Sequence, residues 1–133
     1  MGKGGFKGEI NFLFRPSIYE KMGGKDVLMK FVERLDEISV KDAVLAKFFE
    51  KIDKKKLDEH QFQYFSNMLG GPKTNYEGKS VRQAHEQLPL SDEHFKIYME
   101  RTREALKEVG VDNNVVEETV KLFQTKRGEV LNQ

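Results

Sequence analysis

Helix start and stop signals recur along the chain from residue 16 onward, and segments with the alternating pattern of a strand are scarce. Ser17 and Glu20 have the spacing of a capping box, in which each side chain bonds the backbone N–H of the other residue. The pair Gly23-Gly24 ends this first short helix, because glycine readily adopts the backbone conformation that follows a helix. The punctuation therefore predicts an all-α fold.

The remaining signals predict several helices of unequal length, with two long ones at the end of the chain. Helices are predicted to begin near Asp26, Asp53, Ser91 and Asp112, and to end at Gly70-Gly71-Pro72, Pro89, Gly110 and Gly128. Asp42 is expected to cap a short turn that carries Phe48 and Phe49. A short helix around His85 is expected to precede Pro89. The last helix is expected to run without a break from Asp112 to about Gly128.

A chain of 133 residues suits one compact domain. We expect residues 17–133 to form this domain and residues 1–16 to form an N-terminal extension. The apolar piece of the extension, Ile10 to Phe14, is interrupted by Asn11 and is too short for the apolar region of a signal peptide. Two interpretations of the extension stay open: a tail without a fixed position, or a segment that docks its apolar residues on the domain.

The charge balance and the absence of cysteine exclude several classes of function. Lys plus Arg number 23 and Asp plus Glu number 22, and a net charge of +1 argues against a nucleic-acid binder that relies on phosphate contacts. Without cysteine there is no disulfide, thiolate metal site, cysteine nucleophile or C-x-x-C-H haem attachment. No apolar run approaches the roughly 18 residues of a membrane span. A cytoplasmic location is the default expectation.

Two histidines fall on apolar faces of predicted helices. His85, in the stretch GKSVRQAHEQL, is in register with Val81, Ala84 and Leu88 at helical spacing. His60 lies in the stripe of the helix that follows Asp53, which comprises Leu57, Gln61, Tyr64, Phe65, Met68 and Leu69. A histidine directed into a core needs a partner for its ring nitrogens. Because two helices each supply one, the pattern indicates a shared internal ligand.

Three kinds of site compete for these residues. A zinc site needs about four close ligands, whereas the inward candidates are two histidines and Gln61. A general acid–base enzyme would need a nucleophile or paired carboxylates in the same pocket, and the sequence pattern reveals neither. Haem needs one strong axial nitrogen, a flat apolar slot and a polar group on the far side. The pattern favours haem, with iron as the partner of His85.

Five motifs, taken in order and with their spacing, resemble the group I truncated haemoglobins. They are SIYEKMGG at 17–24, FFEKID at 48–53, EHQFQYFSNMLGGP at 59–72, YEGKSVRQAHEQL at 76–88 and HF at 94–95. The resemblance covers about residues 17–130. It implies a truncated globin fold, a two-over-two helical sandwich around haem b. No histidine follows His94, so the chain lacks the residue by which some relatives bond haem covalently, and non-covalent binding is expected.

The resemblance also implies roles for single residues. His85 resembles the proximal iron ligand, and Gln61 resembles a distal residue that bonds the ligand on iron. His60 falls where some relatives carry a histidine that binds the sixth position of the iron. The expected haem contacts are Phe48, Phe49, Leu57, His60, Gln61, Tyr64, Phe65, Met68, Tyr76, Val81, Ala84, His85, Leu88 and Phe95, with His85 and His60 as metal ligands. His94 is expected to be a helix-start residue and not a ligand.

One position departs from the family pattern. The family usually has Phe-Tyr in the second helix, and the phenol stabilises bound oxygen. Ungapped alignment places Leu35-Asp36 there, and a one-turn slip would place Phe31-Val32 there; neither pair has a phenol. We expect Asp36 to be a solvated surface carboxylate. The alternative is a carboxylate at the pocket that is hydrogen-bonded, with the His60 ring as a candidate partner.

The function that the resemblance implies is binding of O₂, CO and NO at a haem iron. NO dioxygenation, supported by an unidentified reductase, is a common activity in the family. Two other classes stay open: a bis-histidine redox or gas-sensing protein, and a helical interaction domain whose haem site has decayed. A monomer or weak dimer is expected.

Overall fold

The computed structural model describes residues 15–73, 80–86 and 88–133, without the side chains of Val81 and Arg82. These residues form seven α-helices and one 3-10 turn and contain no strand. The elements are α1 (Ile18–Met22), α2 (Lys25–Lys41), the 3-10 turn (Ala46–Phe48), α3 (Lys54–Met68), α4 (Val81–His85), α5 (Asp92–Glu108), α6 (Asn113–Gln124) and α7 (Arg127–Val130). The predicted all-α class is confirmed. The calls on Tyr76 and on the extension before residue 15 lie outside the described residues.

The predicted start and stop signals of α1 are present in the structure. The backbone N–H of Glu20 donates to Ser17 Oγ over 3.2 Å, and the N–H of Ser17 donates to Glu20 Oε1 over 3.2 Å. Gly23 and Gly24 follow with φ of 126° and 82°, which L side chains rarely adopt. A two-residue turn between α1 and α2 therefore requires this glycine pair.

Two helix pairs, α2 with α3 and α5 with α6, make up the body of the fold. The long helix α2 packs against both α3 and α5, and α5 packs against α6. The interior face of α2 is apolar, and Leu28, Phe31, Val32 and Leu35 on it are fully buried. The rings of Phe31 and Phe65 stack with centroids 6.0 Å apart, and those of Phe65 and Phe123 lie 4.9 Å apart. This aromatic cluster joins α2, α3 and α6 beneath the site described below.

The second glycine pair lets the end of α3 approach α1. The backbone N–H of Tyr19 donates to the carbonyl oxygen of Leu69 over 3.0 Å. A Cβ atom added at Gly71 would lie 2.5 Å from Tyr19 Cδ1 and 2.7 Å from Ser66 Oγ. Only glycine fits here without displacing a neighbour.

Two helices are shorter than the sequence indicates. The last long helix breaks after Gln124, where the Thr125 hydroxyl donates to the carbonyl of Leu122 over 2.6 Å and competes with the helical ladder. The separate helix α7 then packs against α4. The helix of His85 ends at His85 itself, and Leu88 follows in a turn closed by its N–H to the His85 carbonyl. The expectation that Leu88 continues the same helical face is wrong.

In the described part of the chain, no helix has the length and apolar character needed to cross a membrane.

Candidate functional site

A cavity of about 330 Å³ opens between α3, α4, α5 and the segment that contains the 3-10 turn. Its volume lies within the range of small-molecule sites. Twelve of the fourteen expected haem contacts border it: Phe48, Phe49, Leu57, His60, Gln61, Tyr64, Phe65, Met68, Ala84, His85, Leu88 and Phe95. The other two are Tyr76, which is not described, and Val81, whose side chain is not described. The role of these residues as haem contacts stays a prediction.

The two candidate metal ligands border the cavity from different helices. His85 is the last residue of α4 and is half-buried, whereas His60 lies on α3 and is exposed. The Ser80 hydroxyl, which accepts from the Gln83 N–H over 3.1 Å, fixes the start of α4 and hence the position of His85. Among the described residues there is no group of three His, Asp or Glu that could hold a metal ion.

The structure adds residues that the sequence pattern did not single out. The additional lining residues are Leu45, Ile52, Ser80, Leu90, His94, Tyr98, Met99, Phe123, Lys126 and Val130. His94 belongs to the start of α5, where its Nδ1 accepts from the Ser91 N–H over 3.0 Å. Tyr98 could have been found from its spacing, because Phe95, Tyr98 and Met99 follow the helical period on one face of α5.

The segment between α2 and α3 is held at its start by Asp42. Its Oδ1 accepts from the N–H groups of Val44 and Leu45, and its Oδ2 accepts from Arg101 Nε over 2.9 Å. Burial raises the pKa of the Asp42 carboxyl, but these backbone bonds and Arg101 outweigh it and hold the pKa below its ordinary value. The ionised carboxylate thus ties the segment of Phe48 and Phe49 to α5.

Asp36 lies inside the protein and is only 1% exposed, so the expectation of a solvated carboxylate is wrong. The reason is that α2 is covered on one side by α3 and on the other by α5, which buries the edge of its apolar stripe as well. Asp36 Oδ1 accepts a hydrogen bond from Gln61 Nε2. The alternative interpretation is confirmed in part: Asp36 is hydrogen-bonded, but the partner is Gln61 and not the candidate His60, and Asp36 itself does not border the cavity.

A second carboxyl lies beside Asp36. Burial raises the pKa of Asp36 to about 9, hydrogen bonding and repulsion with Asp58 act in the same direction, and Lys54 and Gln61 lower it. Asp36 Oδ2 and Asp58 Oδ1 are both buried without a hydrogen-bond donor in the described residues, while Asp58 Oδ2 lies 3.1 Å from Lys54 Nζ. Burial and the neighbouring Asp58 therefore favour the protonated form of Asp36, in which the carboxyl can donate a hydrogen bond.

Replacing Asp36 with asparagine is expected to flatten the pH dependence of the free energy of unfolding. The carboxyl has a pKa of about 3.9 when unfolded and about 9 when folded. Between these values the folded state binds more protons, so stability falls as pH rises, by at most about 1.4 kcal/mol per pH unit. Urea unfolding from about pH 5 to about pH 8 measures this slope. Asp26→Asn, at an exposed position of the same helix, is the control; an equal slope in wild type and Asp36→Asn would contradict the burial of an acid here.

A family model described as bacterial-like globin matches residues 17–132. A group 1 truncated haemoglobin of Tetrahymena pyriformis is 30% identical over 115 residues, which cover 86% of this chain and 94% of that protein. The chain belongs to the group I truncated haemoglobins. A second truncated haemoglobin of this group, GlbN of Synechocystis, is 30% identical over 123 residues that cover 88% of this chain and 98% of that protein.

Solved truncated haemoglobins share the fold as well as the sequence pattern. The Fe(III) form of the truncated haemoglobin from Tetrahymena pyriformis superposes with a TM-score of 0.83 at 30% identity, covering 87% of this chain and 98% of that one. The 2/2 haemoglobin from Synechococcus, described in the cyanomet state with covalently attached haem, gives a TM-score of 0.82 at 30% identity and covers 89% and 100%. The predicted two-over-two globin fold is confirmed.

Membership of this family makes the protein a haem-binding globin that takes small gaseous ligands. The residues of the truncated haemoglobin cavity fit haem. Imidazoles border it from three helices (His60 on α3, His85 on α4 and His94 on α5), phenylalanine rings supply apolar walls, and a hydrogen-bonded carboxamide lies among them.

Proposed function

We propose that the protein binds haem b non-covalently in this cavity, with His85 as the proximal ligand, and that O₂, CO or NO binds on the opposite side. The observation that carries the proposal is the position of His85 at the end of α4, on the border of a cavity walled by phenylalanines. Haem would supply a redox-active iron. His85 would hold that iron through a ring nitrogen, and the apolar walls would exclude water from the gas site.

The residues available support the proposal that the haem is not covalently linked. The Synechococcus relative is described with covalently attached haem. This chain has no cysteine and no histidine after His94, so the resemblance offers no residue for that link. Denaturation in acid, followed by extraction into an organic solvent, should therefore move all of the haem out of the protein phase.

We infer that the oxygen-bound protein acts as an NO dioxygenase, which converts NO and bound O₂ to nitrate. An unidentified reductase would then return the iron to the ferrous state. Mixing the oxygen-bound form with NO is expected to give the ferric form and one nitrate per haem. The measurement is a stopped-flow spectrum together with nitrate analysis. If NO merely replaces O₂ and no nitrate appears, the protein is a gas carrier or sensor and not a dioxygenase.

A second candidate function rests on His60. It borders the same cavity as His85 and comes from a different helix, so both imidazoles would be available to hold the iron of a bound haem. A bis-histidine iron in the resting protein suits electron transfer or ligand sensing, because external ligands must displace a protein side chain. We propose that His60 is this sixth ligand.

A further inference from the structure

We propose that the hydroxyl of Tyr98 is the distal hydrogen-bond donor to a diatomic ligand in this cavity, and that it replaces the phenol missing from α2. The proposal rests on the proposed function, because it requires haem and a gaseous ligand in the cavity. It deepens that function by naming the side chain that determines ligand affinity.

Tyr98 is placed for this role by α5. It lies one turn after the buried Phe95, its side chain borders the cavity, and its hydroxyl approaches Gln61 Oε1 at 3.5 Å. A hydroxyl–carbonyl bond of that length is weak, since such bonds ordinarily measure 2.5–3.0 Å. The hydroxyl can therefore rotate toward a stronger acceptor without losing a good bond. Burial raises the pKa of Tyr98, and the nearby Asp36 carboxyl raises it further by a smaller amount, so the phenol keeps its proton.

Both ends of the Gln61 carboxamide already have hydrogen-bond partners. Its Nε2 donates to Asp36 Oδ1, and its Oε1 faces the Tyr98 hydroxyl. The bond to Asp36 uses one of the two amide hydrogens and fixes the carboxamide plane between α2 and α5. Asp36 does not border the cavity, so it is not placed to donate to a ligand there. Of the three side chains in this chain of contacts, Tyr98 is the one whose only donor is held by a weak bond.

The chain of contacts also accounts for the unusual residue on α2. A tyrosine at position 36 would place a phenol on α2, whereas here a phenol arrives from α5, on the other side of Gln61. Asp36 anchors the nitrogen of Gln61, which turns the carboxamide oxygen toward Tyr98. Asp36 and Gln61 are therefore positioning residues, and Tyr98 is the residue that meets the ligand.

The C–O stretching frequency of the ferrous–CO protein tests this directly, since a donor near the oxygen atom of CO lowers it. Tyr98→Phe is expected to raise that frequency and to speed O₂ release about 2- to 13-fold, the effect of losing one neutral hydrogen bond. Tyr19→Phe, which removes a hydroxyl on α1 outside the cavity lining, is the control and should change neither quantity.

A second variant distinguishes direct donation by Tyr98 to the ligand from an effect of Tyr98 that acts only through Gln61. If Tyr98 donates to the ligand, Gln61→Leu retains a C–O frequency lower than that of the Tyr98→Phe, Gln61→Leu double variant. Equal frequencies in Gln61→Leu and the double variant would overturn the proposal, as would an unchanged frequency in Tyr98→Phe. Wild-type protein that binds no haem would instead overturn the proposed function, and the haem content of each variant, measured before CO is added, distinguishes the two failures.

Discussion

Replacing His85 with alanine is expected to abolish stable haem binding. In the proposed site His85 would supply the nitrogen ligand from α4, and the side chains beside it on the cavity border, Ala84 and Leu88, cannot coordinate iron. Loss of a residue that only supports a metal ligand costs about 10–100-fold in affinity, so loss of the ligand itself should cost more. The measurement is the rate at which an excess of apomyoglobin removes haem from the variant and from the wild type.

His94→Ala is the matched control for this experiment. His94 also borders the cavity, but its ring caps the start of α5 through the Ser91 N–H. This variant should lose one hydrogen bond of the capping box and keep its haem. If His85→Ala retains haem with the ferrous–CO spectrum of the wild type, the proximal assignment to His85 is wrong.

Replacing His60 with leucine is expected to change the spin state of the resting iron and the rate of CO binding. With both histidines bound, the wild-type ferric protein should be six-coordinate and low-spin, and CO must wait for His60 to leave. His60→Leu removes that competition, so the ferric spectrum should become high-spin or water-bound, and CO should bind at a rate that increases with its concentration. Absorption spectra and flash photolysis measure the two effects.

Glu59→Leu provides the comparison for His60→Leu. Glu59 precedes His60 on α3, is exposed and does not border the cavity, so the change should leave both the spectrum and CO kinetics as in the wild type. A wild-type ferric protein that is already high-spin at neutral pH would contradict the assignment. So would CO kinetics that His60→Leu leaves unchanged.

Local signals in the sequence predicted the helices well, because caps and glycine turns act over a few residues. The Ser17–Glu20 capping box, the Asp53 cap and the turn at Gly23-Gly24 all appear in the structure. The break after Gln124 was missed because the deciding hydrogen bond, from Thr125 to a carbonyl three residues earlier, competes with a helix that the apolar pattern also allows.

The polar part of the site could not be predicted in the same way. Whether Asp36 meets water or Gln61 depends on how α2 crosses α3 and α5, and a helical period places Asp36 at the stripe edge in either case. Tyr98 is 37 residues from Gln61 in the chain, and its hydroxyl meets the carboxamide only after α5 has packed. By contrast, the positions of His85 and Gln61 at the cavity followed from family motifs, which preserve their spacing along short helices.

Titration of haem into the apoprotein, followed by absorption spectroscopy in the ferric, ferrous and ferrous–CO forms, tests the central claim most directly. We predict saturation at one haem per chain, a sharp Soret band, and a ferrous–CO spectrum typical of histidine-ligated haem that depends on His85. A linear increase in absorbance without saturation, or a saturable spectrum that is identical in His85→Ala, would contradict the claim that this cavity holds haem through His85.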